Sequence, residues 1–269
     1  MVDVAIVAAR AGAVCIREAR GASDAAGAGR PGAAVVRAED KGASGDYVTE
    51  VDRASERAVV EVLRSETGLP TLGEEEGGRP AERYWVIDPL DGTTNFVHGF
   101  AVVGVSVALV EHGRPVVGVV DAPFLGETFV GARGAGAEHR TTAGRSETLR
   151  VSDRPPARAV VGTGTPFRHK DLLPRYLAAF GAAMAAFEDL RRPGAASLDL
   201  AWTAAGVFDG FFELGLSPWD VAAGGLLIEE AGGIVTDWSG GPDYLAGDIL
   251  AGPPAVHAEL LRIARASDP

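Results

Sequence analysis

The sequence predicts a layered α/β fold, and three observations carry that prediction. Segments with helical spacing of apolar residues alternate with short apolar or alternating runs along the whole 269 residues, the pattern of sheets covered by helices. The apolar run Trp85-Val86-Ile87 stops at two aspartates flanking Pro89, which delivers negative charge to the sheet edge where open α/β sheets place ligands. With 46% hydrophobic and 23% charged residues, the chain has material for a large core and no compositional sign of disorder.

Taken in order, Val4 to Arg20 has the spacing of an amphipathic helix, and Gly21 to Arg37 reads as a Gly/Ala-rich loop with a short strand near Val35. Thr49 opens a second helix: Asp52 stands three residues on, as in a capping box, and Val51, Ala58, Val59, Val62 and Leu63 line one face. Gly68 to Pro80 is loop, interrupted by the acidic run Gly73-Glu74-Glu75-Glu76-Gly77-Gly78. Strands are expected at Tyr84–Ile87, Ala101–Val110, Pro115–Val120 and Glu127–Ala132, with Glu111 to Arg114 as a hairpin turn. A second region begins near Val151. It alternates strand (Ala159–Thr163), two helices (about Asp171–Phe187 and Ala196–Ala205), strand (Phe208–Leu214) and helix (Pro218–Ala231). Strands at Ile234–Trp238 and Ile249–Gly252 and a terminal helix, Ala255–Ala264, complete it. No internal repeat is visible. The expected organisation is one unit, with an N-terminal half of about 1–150 and a C-terminal half of about 151–269.

A net charge of -12 and a pI near 4.9 argue against a nucleic-acid surface, which needs clustered Lys and Arg. A small phosphorylated substrate stays compatible, because bound cations reverse the local field. The single Cys15 lies on the first helix and reads as a buried structural thiol. No secretory start or membrane span is expected, so the predicted location is cytoplasmic.

The segment Trp85 to Phe96, WVIDPLDGTTNF, carries the most chemistry. Pro89 stiffens the turn, and Asp88 and Asp91, three apart, can aim both carboxylates at one point. Converging carboxylates repel unless a cation lies between them, and hard oxygen ligands suit magnesium. Gly92, Thr93 and Thr94 then offer backbone N–H groups to an anionic oxygen. The plainer reading is a turn, which Asp, Pro and Gly each favour independently. GEEEGG reads alone as a solvated loop, but it could flank the same sheet edge. In Ser217-Pro218-Trp219-Asp220, the residues read as N-cap, N1, N2 and N3 of a helix, and Asp220 either complements the helix dipole or joins the acids; Glu213 ends the preceding strand.

Together these residues resemble the inositol monophosphatase family of magnesium-dependent, lithium-sensitive phosphatases. WVIDPLDGTTNF matches its first signature, SPWDVAAGGLLIEEAGG (217–233) its second, and GEEEGG its loop acid. Lys41, Asp46, Val48, Thr49 and Asp52 match the upstream K…D-x-V-T-x-x-D pattern. The match covers nearly the whole chain in the family's order. It implies an α-β-α-β-α sandwich of the inositol monophosphatase and fructose-bisphosphatase type, a homodimer, and two to three Mg2+ per site, with Mn2+ as a substitute.

Residue by residue, the resemblance implies that Glu74, Asp88 and the Leu90 carbonyl hold one ion, and Asp88, Asp91 and Asp220 a second, with a weaker third near Glu74. Gly92 and Thr93 would bind phosphate through N–H groups, and Asp52 would orient Thr93, which with Glu74 activates water. Substrate contacts fall at Asp91, Gly92, Thr93, Thr94, Gly194, Ala195, Ala196 and Glu213. Ala195 replaces the threonine usual in animal relatives and removes one hydroxyl contact; Arg191 and Arg192 could meet a second anionic group or cap a loop. His98 resembles the inositol phosphatase branch. Inositol monophosphate or a similar polyol or sugar phosphate is the implied substrate. Histidinol phosphate and fructose 1,6-bisphosphate are the alternatives on the same site, and a non-catalytic regulatory relative is the third.

Overall fold

The computed structural model describes residues 1–25, 38–40 and 47–268. The strand expected near Val35 and the matched Lys41 and Asp46 lie outside the described residues. In the first part of the chain the elements are α1 (Val2–Ala25), β1 (Ala38–Asp40), β2 (Tyr47–Thr49), α2 (Glu50–Thr67), β3 (Thr71–Gly73), β4 (Arg83–Asp91) and α3 (Thr93–Val97). Next come β5 (Gly104–Glu111), β6 (Arg114–Ala122), β7 (Glu127–Ala132), β8 (Gly136–Thr141), β9 (Ser146–Thr148) and β10 (Val160–Thr163). They are followed by α4 (Leu173–Ala186), β11 (Asp189–Arg191), α5 (Ala196–Ala204), β12 (Gly210–Glu213), α6 (Pro218–Glu230), β13 (Ile234–Thr236), β14 (Ile249–Gly252) and α7 (Pro254–Ala266).

Strands β3 to β9 form a seven-stranded sheet in sequence order, antiparallel except for the parallel pair β3–β4. A five-stranded sheet runs β11-β10-β12-β14-β13. Its β11-β10-β12 part is parallel and its β12-β14-β13 part antiparallel. Helices α1 and α2 cover the outer face of the large sheet, α5 and α6 lie between the sheets, and α4 and α7 cover the small sheet, giving five layers, α-β-α-β-α. Because each sheet is covered on both faces, a central strand buries successive side chains into different cores. Trp85 and Ile87 pack toward α1 and α2, whereas Tyr84 and Val86 pack toward α5 and α6. That is why these strands read as continuous apolar runs.

Between the sheets, α5 and α6 approach closely. A side chain at Gly224 would place its Cβ 2.4 Å from Leu200 Cβ, so the small residues of this helix set the spacing of the central layer. Cys15 is half-buried rather than fully buried, with its thiol 3.8 Å from the Ala54 carbonyl of α2. The buried face of α2 also differs from the expected one. Ala58 and Val62 are half-buried, and Asp52, Ser55 and Glu56 join Val59 and Leu63 in the buried stripe.

Candidate functional site

Strand β4 does not stop before the aspartates but continues to Asp91. Asp88 pairs with Ser106 of β5 and Asp91 with Gly104, so three steps on one strand face two on the other. This bulge adds one residue, which reverses the alternation of side chains and brings Asp91 round to the side of Asp88. Pro89 is tolerated there because a bulge needs no ladder donor. Its carbonyl accepts a hydrogen bond of 2.6 Å from Ser55 Oγ, and Asp88 Oδ1 accepts the Leu90 N–H at 3.0 Å. Convergence therefore comes from a bulged strand end and not from a free turn.

Asp220 arrives from the other sheet's side. It is N3 of α6, and its Oδ2 accepts the Ser217 N–H at 2.7 Å, as the expected cap requires. Its carboxylate oxygen lies with those of Asp88 and Asp91 such that all are within 4.8 Å of one another, and all three residues are buried. Burial first, and then repulsion from Glu74, Asp91 and Asp220, pushes the Asp88 carboxyl well above its usual range. Asp91 is raised by burial, against two hydrogen bonds to its Oδ2 from Ser197 N–H (2.7 Å) and Ser197 Oγ (2.5 Å). Asp220 is pushed up to about 7 by burial and by Asp91 and Glu74. Three hard-oxygen donors that cannot comfortably ionise together fit a divalent cation, which offsets both the burial and the repulsion.

All the predicted site residues except Asp52 line one cleft, among them Glu74, Leu90, Gly92, Thr94, Gly194, Ala195 and Ala196. Asp52 stands behind Thr93 and serves two partners. It accepts the Thr49 N–H (2.8 Å) and hydroxyl (2.5 Å) that cap α2, and its Oδ1 accepts the Thr93 hydroxyl at 2.9 Å. Helix cap and threonine anchor are thus one carboxylate. Glu213, at the end of β12, is pushed up to about 8 by burial and by Asp220, against Arg192 and Arg168. Arg192 lines the cleft, whereas Arg191 does not and pairs with Asp189. His98 is exposed at the end of α3, outside the cleft lining.

Several residues of the site escaped the sequence reading. Ser197 holds Asp91, and Asn95 Nδ2 donates to the carbonyls of Val102 (2.8 Å) and Pro193 (2.9 Å), tying the Gly194–Ala196 loop to the motif. Asp199 and Arg168 also line the cleft, and burial pushes the Asp199 carboxyl well above its usual range. A usable signal was present on α2: Asp52, Ser55 and Glu56 continue the stripe of Val59 and Leu63, so polar residues occupy core positions. Replacing Ser197 by Ala removes a hydroxyl that orients Asp91. We expect a loss of about 10- to 100-fold in metal affinity, read by titration with Mn2+; unchanged affinity would remove Ser197 from the site.

A model of the inositol monophosphatase family matches residues 2–268. Among curated relatives, the Nus factor SuhB of Pseudomonas aeruginosa is 47% identical over 230 residues, covering 81% of this chain and 82% of that protein. The Nus factor SuhB of Escherichia coli K12 is 43% identical, covering 84% and 85%. Among solved structures, the extragenic suppressor protein SuhB of Bartonella henselae superposes with a TM-score of 0.85 at 35% identity, covering 98% of this chain and 97% of that one. Inositol monophosphatase from Anabaena (Nostoc) superposes at 0.83 with 33% identity, covering 100% and 96%. With that family model matching nearly end to end and its acids gathered in one cleft, the chain belongs to the inositol monophosphatase family.

Proposed function

We propose that this protein is a Mg2+-dependent phosphomonoester hydrolase acting on inositol monophosphate or a similar polyol or sugar phosphate. The family is metal-dependent, and the observation that carries the reading is the cluster of Asp88, Asp91 and Asp220 carboxylates, with Glu74 and the Asp52–Thr93 pair beside it. Glu74, Asp88 and the Leu90 carbonyl would hold one ion; Asp88, Asp91 and Asp220 would hold a second. A third would sit near Glu74, and Mn2+ would substitute. When bound, such ions neutralise the entering and leaving oxygens of phosphoryl transfer and acidify a water.

The chain's own groups do the rest. Thr93 donates its hydroxyl hydrogen bond to Asp52 Oδ1, which leaves its oxygen lone pairs free to accept a hydrogen bond from the attacking water. The Glu74 carboxylate takes the second role, accepting that water's proton. Backbone N–H groups of Gly92 and Thr93, with Thr94 beside them, would meet phosphate oxygens. Gly194, Ala195, Ala196 and Glu213 would face the leaving alcohol, and Ala195 offers no hydroxyl to it. Asp91 would contact both metal and substrate. We place this chemistry in the cytoplasm, in a homodimer whose N-terminal half (about 1–150) and C-terminal half (about 151–269) both contribute acids.

The test is phosphate release from inositol 1-phosphate, histidinol phosphate and fructose 1,6-bisphosphate with Mg2+, with EDTA, and with lithium. The expected result is turnover of inositol 1-phosphate that EDTA abolishes and millimolar lithium inhibits. Turnover confined to histidinol phosphate or the bisphosphate would move the substrate to that alternative. A second reading, that this chain serves as a Nus factor, is supported by the name its relatives bear. The acidic charge argues against direct contact with nucleic acid in that role. No turnover of any ester by the folded, Mg2+-loaded protein would favour this non-catalytic reading.

A further inference from the structure

The loop that carries Glu74 is wrapped around a buried carboxylate from another element. Gly73 N–H donates to the Gly77 carbonyl at 2.9 Å, closing the base of the loop, and Leu72 bridges to Gly78. Into this loop projects Glu56, on the buried face of α2 and fully inaccessible. Its Oε2 accepts the Glu75 N–H and its Oε1 the Glu76 N–H, each at 2.8 Å. The fit leaves no room for a side chain at Gly73, whose Cβ would lie 2.1 Å from Glu56 Oε1. A charged acceptor on two successive N–H groups is among the stronger hydrogen-bond arrangements. Here it fixes the backbone immediately after Glu74.

Glu56 is one helical turn beyond Asp52, so both carboxylates leave the same face of α2. Asp52 grips Thr93 and Glu56 grips the Glu74 loop. From this geometry we infer that Glu56 is a positioning residue for the metal and water site: α2 acts as a rigid ruler that sets the Glu74 loop and Thr93 at a fixed separation. The inference rests on the proposed role of Glu74 as a metal ligand.

The test uses Glu56→Gln in the full chain, with Mn2+ alone as the probe, by calorimetric titration. An amide keeps the size but replaces one acceptor by a donor facing an N–H. The expected result is about 10- to 100-fold weaker binding at the ion site that includes Glu74, the usual effect of losing a supporting partner. Binding at the site of Asp91 and Asp220 should be unchanged, a selectivity that a general loss of packing would not produce. Equal affinity at both sites in variant and wild type would overturn the inference. No Mn2+ binding by the wild-type protein would instead overturn the metal role on which it rests. Hydrogen exchange on the unaltered protein gives a check that needs no variant. The Glu75 and Glu76 amides should be protected well beyond those of an exposed loop, and free exchange there would overturn the clamp.

Discussion

Asp88→Asn should abolish phosphatase activity and, in the absence of metal, make the protein more stable rather than less. Asp88 has the strongest case among the site acids, because it is buried and repelled by Glu74, Asp91 and Asp220 at once. Asparagine keeps the Oδ1 that accepts the Leu90 N–H, so the bulge keeps its local hydrogen bond. What disappears is the charge. Losing a carboxylate shared by both proposed ions should lower turnover by at least about 10³-fold, beyond the roughly 10²–10³ seen for a single stabilising donor. In EDTA, at a pH high enough for the wild-type acid to carry its charge, the same change removes a buried, mutually repelling carboxylate, so the melting temperature should rise. Phosphate release and thermal melts of the two proteins measure both effects. A variant that keeps wild-type turnover, or that melts lower in EDTA, would contradict the electrostatic account of the site.

The second large effect is on stability against pH. Glu213 is pushed up to about 8 and Asp220 up to about 7, and Asp88, Asp91 and Asp199 are raised as well. An acid whose pKa is higher folded than unfolded contributes stability while it is protonated. That contribution is complete below the ordinary carboxylate range and is lost as pH climbs through the folded values. Metal-free protein should therefore lose stability between about pH 5 and pH 8. A tenfold difference in proton affinity between folded and unfolded chain is worth roughly 1.4 kcal/mol. The five acids together therefore reach several kcal/mol, or on the order of 10 °C in melting temperature. With saturating Mg2+ the slope should flatten or reverse, because the cation favours the ionised carboxylates and binds only the folded site. Melting curves at several pH values with EDTA and with Mg2+ decide this. Parallel curves in the two conditions would mean that Asp88, Asp91 and Asp220 do not share a cation.

How much of this was legible beforehand depends on the kind of interaction. Long periodic elements were readable: α2 is capped by Thr49 with its capping box, β7 spans Glu127–Ala132, β14 spans Ile249–Gly252, and α6 starts at Pro218. The missed strands β1, β2, β3, β8, β9 and β11 are short or polar, and pairing with a neighbouring strand rather than side-chain pattern holds them in place. Motif acids were legible because four motifs stood together in the order of a known family; singly, each acid has a plainer reading as turn former, helix cap or solvated loop. Their supports were not, since Ser55, Glu56 and Asn95 mainly bond to backbone atoms, which no residue spacing reveals. For α2, an amphipathic reading that counts only apolar residues discards the polar ones that belong to the same stripe.

The extra residue between Asp88 and Asp91 has a consequence for the length of the motif. Deleting Pro89 alone would leave two acids still sharing one side of an unbroken ladder, but about 7 Å apart along the strand. Inserting a residue would point one of them at the opposite layer. Neither outcome gathers the oxygens as closely as they lie now. The number of residues between the two acids therefore matters as much as the acids themselves.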